Sequence, residues 1–168
     1  MSSSRNMRAE EVAEQIERAF AGERYPGDKH LTQGSSMEAA EVASFLRGRC
    51  WQDFRTGELA RNHESLFFMT PDAIRYYIAA FLITSLLHYD DSGQIPSSLL
   101  FFLSPFSMND SDYQSRFRER FEMFNDSQRS AIRAFLECLR DAHSEDFPTS
   151  TSQDQVSQLL QWWLKDER

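Results

Sequence analysis

Cysteine is scarce in this sequence, and no apolar stretch in it is long. There are 2 Cys, Cys50 and Cys138, far apart and without the spacing of a metal site. Isolated thiols of this kind are usually buried and reduced, so we expect no disulfide. The longest strongly apolar run is well short of the roughly 20 residues that cross a bilayer. Glu10, Glu11 and Glu14 stand where a signal peptide needs an apolar core, so we expect a cytoplasmic protein with no membrane span.

Motifs for catalysis are missing as well. The sequence has no nucleophile elbow, P-loop, dinucleotide fingerprint or calcium loop, and its 6 glycines are too scattered to cradle a phosphate. Its 4 histidines form no metal-binding pair, and Cys50 with His63 lacks a motif that would orient a nucleophile and its base. We therefore predict no enzyme activity, no cofactor and no metal site. The alternative is an enzyme whose site only the tertiary structure assembles, and it needs a deep pocket that holds histidines and carboxylates together.

Positive charge is absent from the middle of the chain. The formal net charge is -8, and residues 76–115 contain no Lys or Arg but four Asp. A nucleic-acid-binding protein needs a basic face that displaces counterions from the phosphates, and the sequence shows none. We therefore expect no nucleic-acid partner, and a charged macromolecule that binds this chain should be basic.

Apolar and aromatic residues are plentiful enough for a folded core. Hydrophobic residues make up 40% of the chain, and 14 Phe, 5 Tyr and 3 Trp suggest large side chains packed between helices. The pattern predicts an all-α fold, with a single compact domain of six to eight helices over residues 7–165. Residues 1–6 are small and polar, so we expect a frayed start there.

One stretch, residues 70–89, should be the central buried helix. Thr70 can cap the free amides, Pro71 suits the first helical position, and Asp72 faces the positive end of the helix. Beyond these the stretch is almost entirely apolar, with no continuous polar stripe around its circumference. Such a helix needs neighbours on most sides.

The other helices are predicted from caps and apolar spacing. Capping boxes run from Ser35 to Glu38 and from Asn125 to Gln128. Residues 57–68 carry only a sparse apolar face and form the least defined helix. The apolar piece 97–103 could be a buried strand, but no partner strand is apparent, so we interpret it as a helix.

Two acidic loops flank that apolar piece, and they are the candidate partner-binding site. In the functional interpretation, these loops form a negative patch with aromatic side chains, which attracts a basic partner and speeds its binding. In the alternative, the Asp residues simply form solvated turns and have no binding role. A protonated His88 would be favoured there by the negative end of the helix and two neighbouring carboxylates. The candidate residues are His88, Tyr89, Asp90, Asp91, Asp110, Asp112 and Tyr113.

Two phrases resemble a known family. They are F-F-M-T-P-D-A-I-R-Y-Y-I-A-A-F-L at residues 67–82 and F-N-D-S-Q-R-S-A-I-R-A-F-L at residues 124–136. Both are similar to an uncharacterised bacterial family of small acidic all-α proteins, catalogued as a domain of unknown function. The resemblance implies a shared fold and carries over no catalytic residues.

Small acidic bacterial proteins without catalytic motifs are frequently antitoxins or immunity proteins, an analogy of class. We therefore expect a cytosolic protein-binding protein of the immunity or antitoxin type, which neutralises a basic partner toxin by binding it. The alternative is a structural or regulatory interaction module with no toxin partner. The sequence leaves the oligomeric state open.

Overall fold

The computed structural model describes residues 2–105, 110–143, 145–146 and 150–165. Within these ranges there are eight α-helices and no β-strand, which confirms the all-α prediction. They are α1 (Ser2–Phe20), α2 (Met37–Leu46), α3 (Thr56–Arg61), α4 (Pro71–Leu87), α5 (Ile95–Phe102), α6 (Ser111–Glu122), α7 (Asp126–His143) and α8 (Ser150–Lys165). Short 3₁₀ helices lie at Trp51–Asp53, Ser65–Phe68 and Tyr89–Asp91. No helix in the described part of the chain combines the length and the apolar character needed to cross a membrane.

Helix α4 begins as its sequence predicts. The Thr70 hydroxyl accepts a hydrogen bond from the Ala73 amide at 3.1 Å, and Pro71 occupies the first turn. A neighbouring segment fixes the same end, because the Thr70 amide donates to the Leu31 carbonyl at 3.2 Å and the Thr70 hydroxyl donates to the His30 carbonyl at 2.6 Å. Local capping and a tertiary contact therefore act on one residue.

Helix α4 is the centre of the core. Twelve of its 17 residues are buried, and α1, α5 and α7 pack against it. The two polar residues near its end, Thr84 and Ser85, are buried as well. The Ser85 hydroxyl donates a hydrogen bond to the Phe81 carbonyl one turn back, at 3.0 Å. That bond removes the cost of a buried unsatisfied hydroxyl. Helix α1 also packs along α7, and α7 packs against α8.

The start of the chain differs from the expectation. Residues 1–6 were expected to fray, but α1 is helical from Ser2, while Met1 lies outside the described residues. Extending an existing helix adds one hydrogen bond per residue and needs no new nucleus, so a few small polar residues can join it. Arg8 also ties this region to α7 through an ion pair with Asp141 at 2.7 Å.

The predicted end of the helix at residues 57–68 and the predicted cap of α2 were wrong, whereas the helix predicted for the apolar piece after Pro96 is present. Residues 57–68 are the short helix α3 and a 3₁₀ turn, because the Asn62 side chain donates to the Glu58 carbonyl at 2.8 Å and ends the helix. The cap of α2 is Ser36 rather than Ser35, since its hydroxyl accepts from the Ala39 amide at 3.1 Å. Residues 97–102 lie in α5, as expected, and Leu103 is the C-cap of that helix.

Candidate functional site: an acidic cleft

A cleft of about 620 Å³ opens where three helix ends meet. Arg5 and Asn6 come from the first turns of α1, the segment from Leu86 to Asp91 comes from the end of α4, and His143 ends α7. The turn after α7 adds Asp146 to the lining. The carboxyl ends of α4 and α7 both lie here, and each contributes a partial negative charge.

Two aromatic rings stack within the cleft wall. The Tyr89 and His143 rings are nearly parallel, at an angle of 3° with 3.5 Å between their centroids. Both side chains are half-buried. The stack joins the 3₁₀ turn after α4 to the last residue of α7, so it fixes one side of the cleft.

Burial changes the protonation behaviour of both rings. Desolvation, the Asp146 charge and a hydrogen bond to Asp146 raise the pKa of Tyr89 to about 12, so its phenol stays protonated and can donate a hydrogen bond. Desolvation lowers the pKa of His143, and the charge of Arg5 adds to this, although the charges of Asp146 and Asp90 oppose it. The neutral imidazole is therefore favoured in the cleft.

Negative charge dominates the cleft lining. Four carboxylates face one guanidinium, that of Arg5. Within the described part of the chain no ion pair neutralises Asp90, Asp91 or Glu145. A cationic group that entered the cleft would therefore meet three carboxylates that no ion pair among the described residues engages. The four acidic residues are Asp90, Asp91, Glu145 and Asp146.

The cleft contains four of the seven predicted site residues, and the other three lie outside its lining. His88, Tyr89, Asp90 and Asp91 all line the cleft. The backbone amide of His88 donates to the Thr84 carbonyl at 2.9 Å, and its side chain is exposed at the end of α4.

Asp110, Asp112 and Tyr113 are not part of that lining. Asp110 caps α6 by accepting from the Asp112 amide at 3.0 Å. Tyr113 is buried, and its hydroxyl donates to the Ser104 carbonyl at 3.1 Å. Their role in partner binding therefore stays a prediction, and in the structure Asp110 serves to begin α6.

Sequence reasoning missed Arg5, His143 and Asp146. His143 lies at the edge of a polar segment, and no local pattern links it to Tyr89, which lies 54 positions away. One available signal was the ordinary preference for a basic residue in the last turn of a helix, where His143 stands. That preference does not indicate which other helix end His143 contacts.

The remaining candidate chemistry is not assembled in the described residues. His63 Nδ1 lies 2.7 Å from the Ser98 hydroxyl, and Cys50 is an exposed free thiol. Burial raises the pKa of the Cys138 thiol, which lines the cleft, and this disfavours its nucleophilic thiolate form. No group of three or more His, Cys, Asp or Glu in the described ranges is arranged to hold a metal ion.

The fold and the cleft define a single helical domain with an acidic, aromatic-walled recess. The chain belongs to the family of unknown function DUF6714, which it matches over residues 8–167. This membership confirms the resemblance to a family of unknown function. Neither a curated protein nor a solved structure matches the chain significantly.

Proposed function

We propose that this chain is a cytoplasmic protein-binding protein that receives a basic segment of a partner in the acidic cleft. The observation that carries the proposal is the cleft lining, with four carboxylates against one guanidinium in about 620 Å³. The absence of Lys and Arg from residues 76–115 supports it, because the segment that contains the 3₁₀ turn at Tyr89–Asp91 supplies no cation of its own. Opposite charges on two partners speed their encounter and suppress wrong partners.

We further propose that binding neutralises the partner, in the manner of a bacterial immunity protein or antitoxin. Such an inhibitor needs a preformed recognition surface and no catalytic apparatus. The buried α4 and the stack of Tyr89 on His143 hold the cleft in place, which keeps the entropy cost of binding low. This class predicts tight 1:1 association that weakens as salt is added.

The test compares two double variants that remove the same charge. Asp90→Asn with Asp91→Asn changes the cleft, whereas Asp110→Asn with Asp112→Asn changes acids outside it. Association with a short Arg- and Lys-rich peptide is measured by calorimetry at low and high salt. We expect the cleft variant to weaken binding about tenfold and the control to leave it nearly unchanged. Equal affinity in both variants would exclude the cleft.

The inhibitory role has its own test. A partner captured from the source cell at low salt is expressed with wild-type protein or with the cleft variant, and growth is measured. Neutralisation predicts growth arrest that only the wild-type protein relieves. A captured partner that is harmless alone would support the alternative of an interaction module without a toxin.

An enzyme is a further candidate after the interaction module, because the cleft holds His88 and His143 together with carboxylates. A neutral imidazole such as that of His143 could act as a general base. Mass spectrometry of the partner before and after incubation separates the two functions. A covalent change produced by wild type and not by His143→Gln would favour catalysis, whereas an unchanged partner favours binding alone.

A further inference from the structure

A second surface, distinct from the cleft, combines aromatic rings with an arginine. Phe67 in the 3₁₀ helix Ser65–Phe68 and Phe101 in α5 are 38% and 44% exposed. Their rings meet edge to face with 5.5 Å between centroids, and Phe67 also contacts Phe102 at 5.7 Å. We call Phe67, Phe101 and Arg120, together with the buried rings of Phe102 and Tyr113 that Arg120 contacts, the aromatic-arginine surface. None of them lines the acidic cleft.

Arg120 connects the rings of this surface. Its guanidinium carbon lies 5.1 Å from the centroid of Phe102 and 5.8 Å from that of Tyr113. The Tyr113 ring is held in place, because its hydroxyl donates to the Ser104 carbonyl at 3.1 Å. The guanidinium therefore sits against two rings whose positions the fold fixes, and its charge is attracted to their faces.

The Arg120 guanidinium has no acceptor inside the described structure. It makes no hydrogen bond or ion pair there, and its side chain is half-buried. Burial is the main cause of a lowered pKa for Arg120, and the charge of Arg116 one turn away adds to it. A guanidinium carries five N–H donors. No Arg120 nitrogen is both buried and without a partner, so water reaches its donors, and a carboxylate from outside would replace that water with a stronger, charge-assisted contact.

We propose that the aromatic-arginine surface binds an acidic segment of another protein. A carboxylate of that segment pairs with Arg120, and an apolar side chain next to it packs on Phe67 and Phe101. Arginine and aromatic residues dominate the energetic centres of protein interfaces, and a bidentate contact with a carboxylate fits the fork of a guanidinium.

Charge favours a protein segment over a nucleic acid as the occupant. Asp110 and Asp112 begin α6, and Glu119 stands beside Arg120 in the sequence. A phosphate backbone carries dense, repeated negative charge, so these carboxylates oppose it. A peptide can place one carboxylate at Arg120 and apolar groups elsewhere.

The test uses the full-length protein and two matched arginine variants. Arg120→Gln removes the guanidinium of the surface, and Arg118→Gln removes the same charge from an exposed position of α6. The probe is a fluorescent peptide with one Asp between Phe and Leu residues, and a second peptide carries Asn in place of that Asp. Phe101→Ser tests the apolar part, and circular dichroism checks that each variant is folded.

We expect Arg120→Gln and Phe101→Ser each to weaken binding of the acidic peptide by at least about tenfold. Arg118→Gln should change it by less than about twofold, and the Asn peptide should bind the wild type weakly. Equal binding of both peptides, equal effects of the two arginine variants, or no binding of the acidic peptide would each overturn the proposal. Two further results would overturn the proposal because each would indicate a different occupant of the surface. One is a wild-type dimer that Arg120→Gln dissociates, and the other is Arg120-dependent binding of a single-stranded DNA oligomer.

Discussion

The imidazole of His143 lies parallel to the phenol ring of Tyr89, with 3.5 Å between the ring centroids. The two residues belong to different helix ends, since His143 is the last residue of α7 and Tyr89 follows the end of α4. Their contact closes one wall of the acidic cleft. It also places a titratable ring where burial and neighbouring charges act on it together.

His143 should make stability depend on pH. Burial lowers its folded-state pKa below the ordinary value of 6.5, so the unfolded chain takes up the proton first as the pH falls. Its contribution to the free energy of unfolding is therefore complete above pH 6.5 and is lost as the pH falls through and below that value. Urea titrations from about pH 8 to about pH 5 measure it.

His143→Gln separates the pH dependence caused by His143 from the pH dependence caused by the carboxylates. The difference in unfolding free energy between wild type and variant should change with pH below 6.5 and stay constant above it. A flat difference for His143→Gln would contradict the prediction.

Phe81→Ala should strongly destabilise the protein. Phe81 is 1% exposed in the middle of α4, and truncating a buried Phe leaves a cavity that costs about 3–5 kcal/mol. Leu87→Ala is the matched change on the same helix, and because Leu87 is 42% exposed it should cost under about 1 kcal/mol. Urea denaturation of both variants checks this, and similar losses would mean that α4 is not the core.

Asn125→Ala should remove half of a reciprocal cap. The Asn125 side chain accepts from the Gln128 amide at 2.9 Å, and the Gln128 side chain accepts from the Asn125 amide at 3.1 Å. Loss of such a cap costs about 1 kcal/mol. Ser127→Ala, at an exposed position of the same turn, should be close to neutral in thermal melts. An Asn125 variant as stable as wild type would show that the box contributes nothing.

Trp163→Phe should cost more than Trp162→Phe. The Trp163 indole N–H donates to the Leu103 carbonyl at 3.1 Å, and Trp163 is buried. Phenylalanine cannot donate, so a buried carbonyl loses its partner at a cost of about 1–3 kcal/mol. Trp162 is half-buried and packs edge to face on Phe117 and Phe121. Chemical denaturation compares the two, and the reverse order would contradict the prediction.

Features set by neighbouring residues were predictable. The Thr70 cap and the box of Asn125 with Gln128 form as expected, because their hydrogen bonds join residues three positions apart. The end of α3 was not predicted, since it depends on the Asn62 side chain returning to the Glu58 carbonyl within a weakly apolar stretch. The extension of α1 to Ser2 was missed for a similar reason, because small polar residues give no signal of their own.

The sequence by itself determined the helices, the caps that start several of them and the burial of α4, because helix periodicity and capping act within a few residues. Only the tertiary structure decided which helix ends meet. Packing of α1 on α4 and α7 brings Arg5, Tyr89 and His143 into one cleft and leaves Asp110 to cap α6 elsewhere. Such contacts join residues far apart in the chain, and their geometry depends on how whole helices pack rather than on any local pattern.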